Sequence, residues 1–478
     1  MKKVLFVGAE AVPFASTGGL GDVMSSLPTA LCRVGEDARV ALPLYRAVGA
    51  QWREKMEKIA EFEVSLAWRR QYCGVYTLQK DGVTYYFIDN EYYFGRDGLY
   101  GHFDDGERYA FFCMAVLSML PHVGFFPDVL HAHDWQAAAA VIYLRESFAW
   151  NEAYRGIRSV FTIHNIEYQG RFSADILGDV FGLGEQVRGV LEFGGGINLM
   201  KGAILLCDRV TTVSPRYAEE ICTPAFGWGL DVILRENAYK LEGIVNGIDY
   251  KHYDPAKDRE IARQFTARSI ARKAENKMAL QRELGLPISG DVPMLCVVSR
   301  LAAHKGLDLV AGAAQSLLQQ GVQLVVLGCG DVRLEEFFRA LERENPTCVR
   351  ALICYDRSLA ARLYAACDVF LMPSASEPCG LSQMIASRYG ALPVVHAVGG
   401  LYDTIKPYVK TEEGVEGNGF CFADYSAGAL LESVGEALAV WRDTAAREKL
   451  IARVMRTDFS WARSAAVYHR LYALLKRK

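Results

Sequence analysis

Polar and charged residues follow short apolar runs at several points along this chain. The first such point carries Glu10 and then Ser16-Thr17-Gly18-Gly19-Leu20-Gly21-Asp22, just downstream of an apolar run at 4–7. A strand, a glycine-rich loop and a helix N-terminus together make an anion site, because unpaired N–H groups and the helix dipole converge there. The glycines let the backbone approach a phosphate closely, and Asp22 reads as the cap of the helix that follows. Ser16 stands where a cation would complete the cradle. A second point is Ser299-Arg300-Leu301-Ala302-Ala303-His304-Lys305-Gly306. Two fixed cations in a loop suit a diphosphate leaving group, since they neutralise charge that grows in the transition state; a solvated loop is the plainer reading. A third is Ser374-Ala375-Ser376-Glu377-Pro378-Cys379-Gly380-Leu381-Ser382-Gln383. Here a carboxylate precedes a helix N-terminus whose N–H groups at Leu381 and Ser382 suit a second phosphate, while Glu377 suits sugar hydroxyls; a capped loop is the alternative.

Two histidine segments join these. In His131-Ala132-His133-Asp134 alternate residues share a strand face. That would suit a metal, but no third ligand motif accompanies it, and a sugar contact by His133 or Asp134 fits better. His164-Asn165 is either a core histidine or a polar group beside a reacting centre. The Gly328-Cys329-Gly330-Asp331 turn shapes a strand-to-helix junction. No Ser/His/Asp triad, Walker loop or zinc signature is present.

The elements that must position these groups are short β-branched runs alternating with longer helical patterns. Strands are predicted at 4–7, 39–42, 129–132, 160–163, 210–213, 295–298, 324–327, 369–372 and 394–396, and helices lie between, for example at 307–319 and 334–343. Such alternation predicts parallel sheets with crossover helices. Residues 73–78 and 83–88 flank Lys80-Asp81-Gly82, an Asp-Gly hairpin decorating the first α/β domain. The charged stretch 255–282 reads as surface helix. A second strand–helix series begins at Pro293. The predicted organisation is a first domain over 1–245, a second over 246–459, and a Ser-capped, basic-ended amphipathic helix over 460–478. Two tandem α/β domains would face each other across a deep cleft, with ligands beyond the carboxyl ends of the strands, where the unusual polar residues fall.

A chain of 478 residues exceeds one core, which agrees with two domains. Its 51% apolar and 23% charged content is that of an ordinary globular protein. A net charge of −3 gives no bulk attraction to nucleic acid or to an anionic membrane. The basic start Met1-Lys2-Lys3 does not read as a signal peptide, because Glu10 and Pro13 break the apolar run. No run approaches the roughly 18 apolar residues that span a bilayer. The 12 cysteines are scattered without a C-x-x-C pair, as expected of reduced thiols in the cytoplasm.

Taken together the chain resembles bacterial and plant glycogen/starch synthases, retaining glucosyltransferases with two Rossmann-like domains (the glycosyltransferase B-type fold). The resemblance rests on TGGLGDV at 17–23, HAHDWQA at 131–137, FTIHNIEYQG at 161–170, DRVTTVSP at 208–215, VNGID at 245–249, SRLAAHKGLDLV at 299–310, SEPCGLSQM at 376–384 and GGLYDT at 399–404. It runs in order from residue 2 to about 424. Single motifs are moderately specific; the ordered set is highly so.

The resemblance implies a reaction: glucose moves from ADP-glucose to the non-reducing end of an α-1,4-glucan, with retention at the anomeric carbon. It also implies that the helix over 460–478 crosses back to the first domain, and it implies roles. Donor phosphates meet the Thr17-Gly18-Gly19 loop with Asp22 behind it, Arg300 and Lys305, and the amides after Gly380 at Leu381 and Ser382. Glu377 holds the transferred glucose, Cys379 lines the same wall, and His164, Asp134 and Asn246 face glucose or acceptor. Tyr355 matches the aromatic that stacks on the base. No metal or other cofactor is implied, because Arg300 and Lys305 stabilise the leaving diphosphate. A homo-oligomer is left open.

The chain departs from the family pattern twice. Most members have Lys where Ser16 stands, and losing a charge-assisted hydrogen bond costs about 1.5–3 kcal/mol. Ala303-His304 replaces a common Gln before the Lys, which places His304 near the nucleotide and reopens the base preference. The readings to separate are an active synthase, a related transferase using UDP-glucose, and a non-catalytic glucan-binding or regulatory paralogue. A phosphorylase is disfavoured, since nothing points to a pyridoxal-binding lysine.

Overall fold

The computed structural model describes residues 1–411 and 414–475. The chain forms two compact units: Met1–Asn246 together with the end of the chain from Trp461, and Gly247–Ser460.

Among the described residues the first unit holds a nine-stranded sheet in the order Leu241–Gly243, Arg209–Thr212, Arg158–Ile163, Val129–His133, Lys3–Val7, Asp37–Pro43, Val83–Asp89, Arg69–Lys80, Glu57–Leu66. The first seven run parallel. Lys3–Val7 lies in the middle, and Val4, Leu5, Phe6 and Val7 are fully buried, as a strand covered on both faces requires. Asp81 and Gly82 both take positive φ, 51° and 83°, the demand of a two-residue primed turn. The hairpin is not a separate decoration, however. Val83–Asp89 pairs parallel with Asp37–Pro43, so the hairpin extends the main sheet and Glu57–Leu66 adds an outer strand.

Helix Gly19–Arg33 begins three residues before Asp22, so Asp22 lies inside the first turn rather than capping it. Its charge suits the dipole there. Helix Trp461–Leu474 belongs to this unit. Ser464 Oγ donates to Val245 O at 2.6 Å, Lys2 Nζ donates to Leu475 O at 2.9 Å, and His469 Nδ1 meets Glu36 Oε1 at 2.7 Å.

The second unit is a six-stranded parallel sheet among the described residues, ordered Val349–Leu352, Gln323–Leu327, Met294–Val298, Val369–Met372, Leu392–His396, Phe420–Phe422. The stretch 255–282 is corrected here. Most of it is turns, and its helix, Lys273–Glu283, buries a polar face: Lys273, Asn276, Lys277 and Gln281 are each under 5% exposed. The Lys273 ammonium donates to the carbonyls of Tyr364, Ala365 and Tyr389 at 3.2, 2.8 and 2.9 Å. Those carbonyls end helices Arg357–Ala366 and Ser382–Arg388, where orphan acceptors and negative dipole ends gather. Burial pushes Lys273 down to about 8. Lys277 donates to Gly290 O, Val292 O and Asp368 Oδ2 at 2.8, 3.0 and 2.8 Å. Charge therefore sits inside because every donor is met.

Candidate active site

In the second unit, loops follow three adjacent strands: 299–306 after Met294–Val298, 373–380 after Val369–Met372, and 397–400 after Leu392–His396. Gly306 (φ 70°) lies against the Pro373 carbonyl so closely that any Cβ would overlap it, and Ala375 N–H donates to His304 O at 2.9 Å. Gly399 (φ 43°) lies against the Glu377 carbonyl in the same way, and Gly400 packs on the Cys379 backbone. Glycine is required at these positions by close approach, and the result locks 373–380 between its neighbours.

Lys305 Nζ then reaches Glu377 Oε2 at 2.7 Å, and Ser374 Oγ donates to the same oxygen at 3.1 Å. The pair is nearly buried, with side-chain exposures of 15% and 7%. Glu377 Oε1 has no protein partner among the described residues. His396 Nδ1 meets the Ser374 carbonyl at 2.7 Å beneath it. Burial, then the Lys305 ammonium, pushes His304 below the ordinary imidazole range. The arrangement presents a cation and a carboxylate oxygen held rigidly beside each other, able to bind an anion and a hydroxyl. Arg300 is exposed at the start of the same loop. Cys379 is buried, while Gly380, Leu381 and Ser382 are half-buried at the start of helix Ser382–Arg388. Tyr355 stands apart on an exposed loop, with Arg357 Nε donating to its hydroxyl at 2.9 Å.

In the first unit, three strand ends bring the other residues close. Glu10, buried after Lys3–Val7, accepts from Thr17 N–H at 2.7 Å and Gly18 N–H at 3.3 Å through Oε2. Its Oε1 takes the Thr17 and Tyr100 hydroxyls, each at 2.7 Å. The expected anion cradle is thus partly filled by the chain's own carboxylate, and the Thr17 and Gly18 amides are committed. Gly18 is extended at φ −166° with open space around it, whereas a Cβ on Gly21 would strike the Ser16 side chain. Ser16 Oγ donates to Gly18 O at 3.1 Å.

Asp134 follows Val129–His133 with a left-handed φ of 57°, a strained value for Asp. Its Oδ1 accepts the His164 N–H at 2.7 Å. Burial pushes Asp134 up to about 7, against the His164 and Asn165 backbone N–H groups, which favour the anion. The His164 ring, after Arg158–Ile163, meets His133 Nδ1 through Nε2 at 2.9 Å. His131 is bonded through both ring nitrogens, Nδ1 to Tyr472 OH at 2.7 Å and Nε2 to Thr162 Oγ1 at 2.6 Å. Burial pushes all three imidazoles down, His164 to about 3. Asn246 is buried at the last position of this unit's main segment, one residue beyond the predicted boundary. No group of three or more His, Cys, Asp or Glu suited to a metal forms among the described residues.

Sequence reasoning placed Glu10 and Ser374 at strand ends but gave them no role, and it missed the parts played by Tyr100 and His396. Glu10 was legible as a lone carboxylate after a buried strand. Tyr100 carried no signal, since its partner is far away in sequence.

A family model described as starch synthase catalytic domain matches residues 3–236, and one described as glycosyl transferases group 1 matches residues 285–454. A glycogen synthase of Clostridium perfringens is 50% identical over 472 residues, covering 98% of each chain. One of Geobacillus stearothermophilus is 48% identical over 478 residues, covering 100% of this chain and 98% of that one. The solved structure of the catalytic domain of Starch Synthase IV from Arabidopsis thaliana bound to ADP and acarbose superposes with a TM-score of 0.91 at 33% identity, covering 99% of both chains. A sucrose-phosphate synthase from Thermosynechococcus elongatus shares the fold at a TM-score of 0.61 and 18% identity, covering 99% of both chains. Fold and matches together define a glycosyltransferase of the kind built from two Rossmann-like domains. The chain belongs to the glycogen/starch synthase family.

Proposed function

We propose that the chain transfers glucose from ADP-glucose to the non-reducing end of an α-1,4-glucan with retention of configuration. The observation that carries this reading is the rigid Lys305–Glu377 pair, a cation and a hydroxyl acceptor fixed side by side at strand ends. The Arabidopsis relative, whose structure holds ADP and acarbose, supports an adenine nucleotide and a glucan-like ligand.

In this reading Arg300 and Lys305 bind the diphosphate and stabilise it as it leaves. Glu377 takes a sugar hydroxyl on its unpaired Oε1. Leu381 and Ser382 offer N–H groups to phosphate, Tyr355 stacks on the base, and His304 lies near it. His164, Asp134 and Asn246 meet glucose or acceptor, and the glycine loop with Asp22 is the first unit's element for the donor phosphates. Departure and attack take place on one face of the sugar through an oxocarbenium-like state, so catalysis is positioning plus stabilisation of the leaving group. The two cations do this without a metal or other cofactor. The cytoplasm is the expected compartment; no helix among the described residues is long and apolar enough to cross a membrane.

Two other readings have their own motives: a non-catalytic glucan-binding or regulatory paralogue, from Ser16 in place of the usual Lys, and a UDP-glucose transferase, from Ala303-His304 in place of the common Gln. Incubation with labelled ADP-glucose or UDP-glucose and glycogen separates them. Incorporation from ADP-glucose in preference to UDP-glucose is expected. Incorporation from UDP-glucose alone indicates the other donor, and none from either, with glycogen binding intact, removes the enzyme reading.

A further inference from the structure

The three histidines of the first unit differ in how their ring nitrogens are satisfied. Both nitrogens of His131 meet hydroxyls, Tyr472 on one side and Thr162 on the other, and Thr162 Oγ1 goes on to Thr211 Oγ1 at 2.6 Å. His133 is fully buried between Phe6, whose ring stacks on it at 5.4 Å, and His131, whose ring lies 4.2 Å away. Its Nδ1 meets His164 Nε2 at 2.9 Å, but its Nε2 is buried with no hydrogen-bond partner. His164 is half-buried, and its Nδ1 has no protein partner among the described residues.

The shared bond between His133 and His164 needs one proton, and two neutral rings can supply it in only one of two ways. If His164 donated from Nε2, His133 would carry its own proton on Nε2. That would bury an N–H donor among rings with nothing to accept it, an arrangement native proteins rarely tolerate, while a bare acceptor is less costly. If His133 donates from Nδ1, its Nε2 is a bare ring nitrogen against Phe6 and His131. His131 cannot relieve the orphan, because its nitrogens are already engaged. Burial disfavours a charged ring in either residue.

We propose that His133 is a positioning residue that fixes His164 in the Nδ1–H tautomer, so that His164 presents a hydrogen-bond donor from the ring edge that no protein group among the described residues engages. Asp134 holds the backbone of the same residue through the His164 N–H, which sets the ring's origin while His133 sets its proton. Resting on the proposed glucosyl transfer, the ligand is a sugar hydroxyl accepting from Nδ1–H. A donor at this edge binds a hydroxyl oxygen and leaves that hydroxyl's own proton for another acceptor.

The test uses the full-length chain labelled with 15N-histidine, in which nine histidines give long-range proton–nitrogen correlations. His164 is assigned from its loss in His164→Gln. The expected result, without any ligand, is a protonated Nδ1 and a bare Nε2 on His164, and on His133 likewise Nδ1 protonated and Nε2 bare. His133→Asn keeps an N–H near the Nδ1 position and should preserve the tautomer. His133→Phe removes it and should release His164 to a mixture of tautomers. In transfer assays His133→Asn should stay near the parent, while His133→Phe should lose about tenfold in kcat, the equivalent of one hydrogen bond. A protonated Nε2 on His164 in the parent chain overturns the proposal, and so does an unchanged tautomer in His133→Phe. If no transfer occurs from any donor while the spectra show Nδ1–H, the functional reading fails and the tautomer assignment stands.

Discussion

Exchanging Glu10 for glutamine alters one atom of a side chain that accepts four hydrogen bonds, and its consequences follow from where those donors sit. Oε2 takes the Thr17 and Gly18 amides at 2.7 and 3.3 Å, and Oε1 takes the Thr17 and Tyr100 hydroxyls at 2.7 Å each. Backbone N–H groups cannot reverse their role, whereas hydroxyls can turn and accept. The amide oxygen of the introduced glutamine must therefore face the loop, with its NH2 toward the two hydroxyls. The loop bonds survive but lose their charge assistance, falling from about 1.5–3 to about 0.5–1.5 kcal/mol each. The Gly18 bond is long and contributes little, so the net loss is about 1–2 kcal/mol. For a unit of this size that lowers the melting temperature by about 2–8 °C. The glycine loop should also loosen, raising the KM for the sugar nucleotide more than it lowers kcat. Scanning calorimetry and initial rates over a donor series measure both. An unchanged melting temperature together with an unchanged or lower donor KM would refute the reasoning. It would show that the Thr17 and Gly18 amides serve the ligand and that Glu10 only competes for them.

Lys305→Met leaves the Glu377 carboxylate nearly buried with Ser374 as its remaining donor, which should cost about 3 kcal/mol, the low end for breaking a buried pair, and about 10²–10³ in kcat. Adding Glu377→Leu should restore much of the melting temperature without restoring transfer; recovered activity would mean the pair is not in the site. Ser16→Lys forfeits the Ser16–Gly18 carbonyl bond but adds a cation to the loop, so donor KM should fall, or kcat rise, by about one to two decades. An unchanged or poorer enzyme would show that another group already fills that role. Stability should also depend on acid. His131, His133 and His164 have folded pKa values below the unfolded value of about 6.5. Their contribution is therefore complete above that pH and is lost as pH falls through it, by up to about 1.4 kcal/mol per pH unit for each histidine. Asp134, raised to about 7, works in the opposite sense: its charged form is disfavoured in the fold, so falling pH below 7 offsets one histidine. Urea midpoints between pH 7.5 and 5 should fall with a slope of about two histidines from these four groups, His304, also held below its ordinary range, adding to the fall, and His131→Gln should flatten the slope by one; a flat profile in the parent chain would contradict neutral burial.

The sheets were legible because their strands are apolar runs buried on both faces, where periodicity and β-branching leave little choice. What escaped was short, charged or paired at long range. Leu241–Gly243 and Phe420–Phe422 are only three residues each, and Glu57–Leu66 carries charge on its exposed face. Lys273 and Lys277 look like surface residues until the helix ends and loops that receive their protons are folded beside them. In the candidate site, Arg300, Lys305 and Glu377 were visible as residue types at strand ends. The Glu10–Tyr100 bond joins residues 90 apart, and the His131–Tyr472 bond joins residues 341 apart. No local pattern encodes such pairings. Asp22 was misread as a cap because the helix begins earlier than the apolar pattern suggests, at Gly19 with Gly18 in the cap position.

The most direct measurement is proton NMR of the purified chain with ADP-glucose and a maltooligosaccharide. The anomeric signal of each transferred glucose is followed as ADP is released. Growth of α-1,4 signals in step with ADP, slowed about 10²–10³-fold by Lys305→Met, is the expected result. ADP release without chain growth, β-linked product, or no reaction while the oligosaccharide still binds would contradict retaining glucosyl transfer.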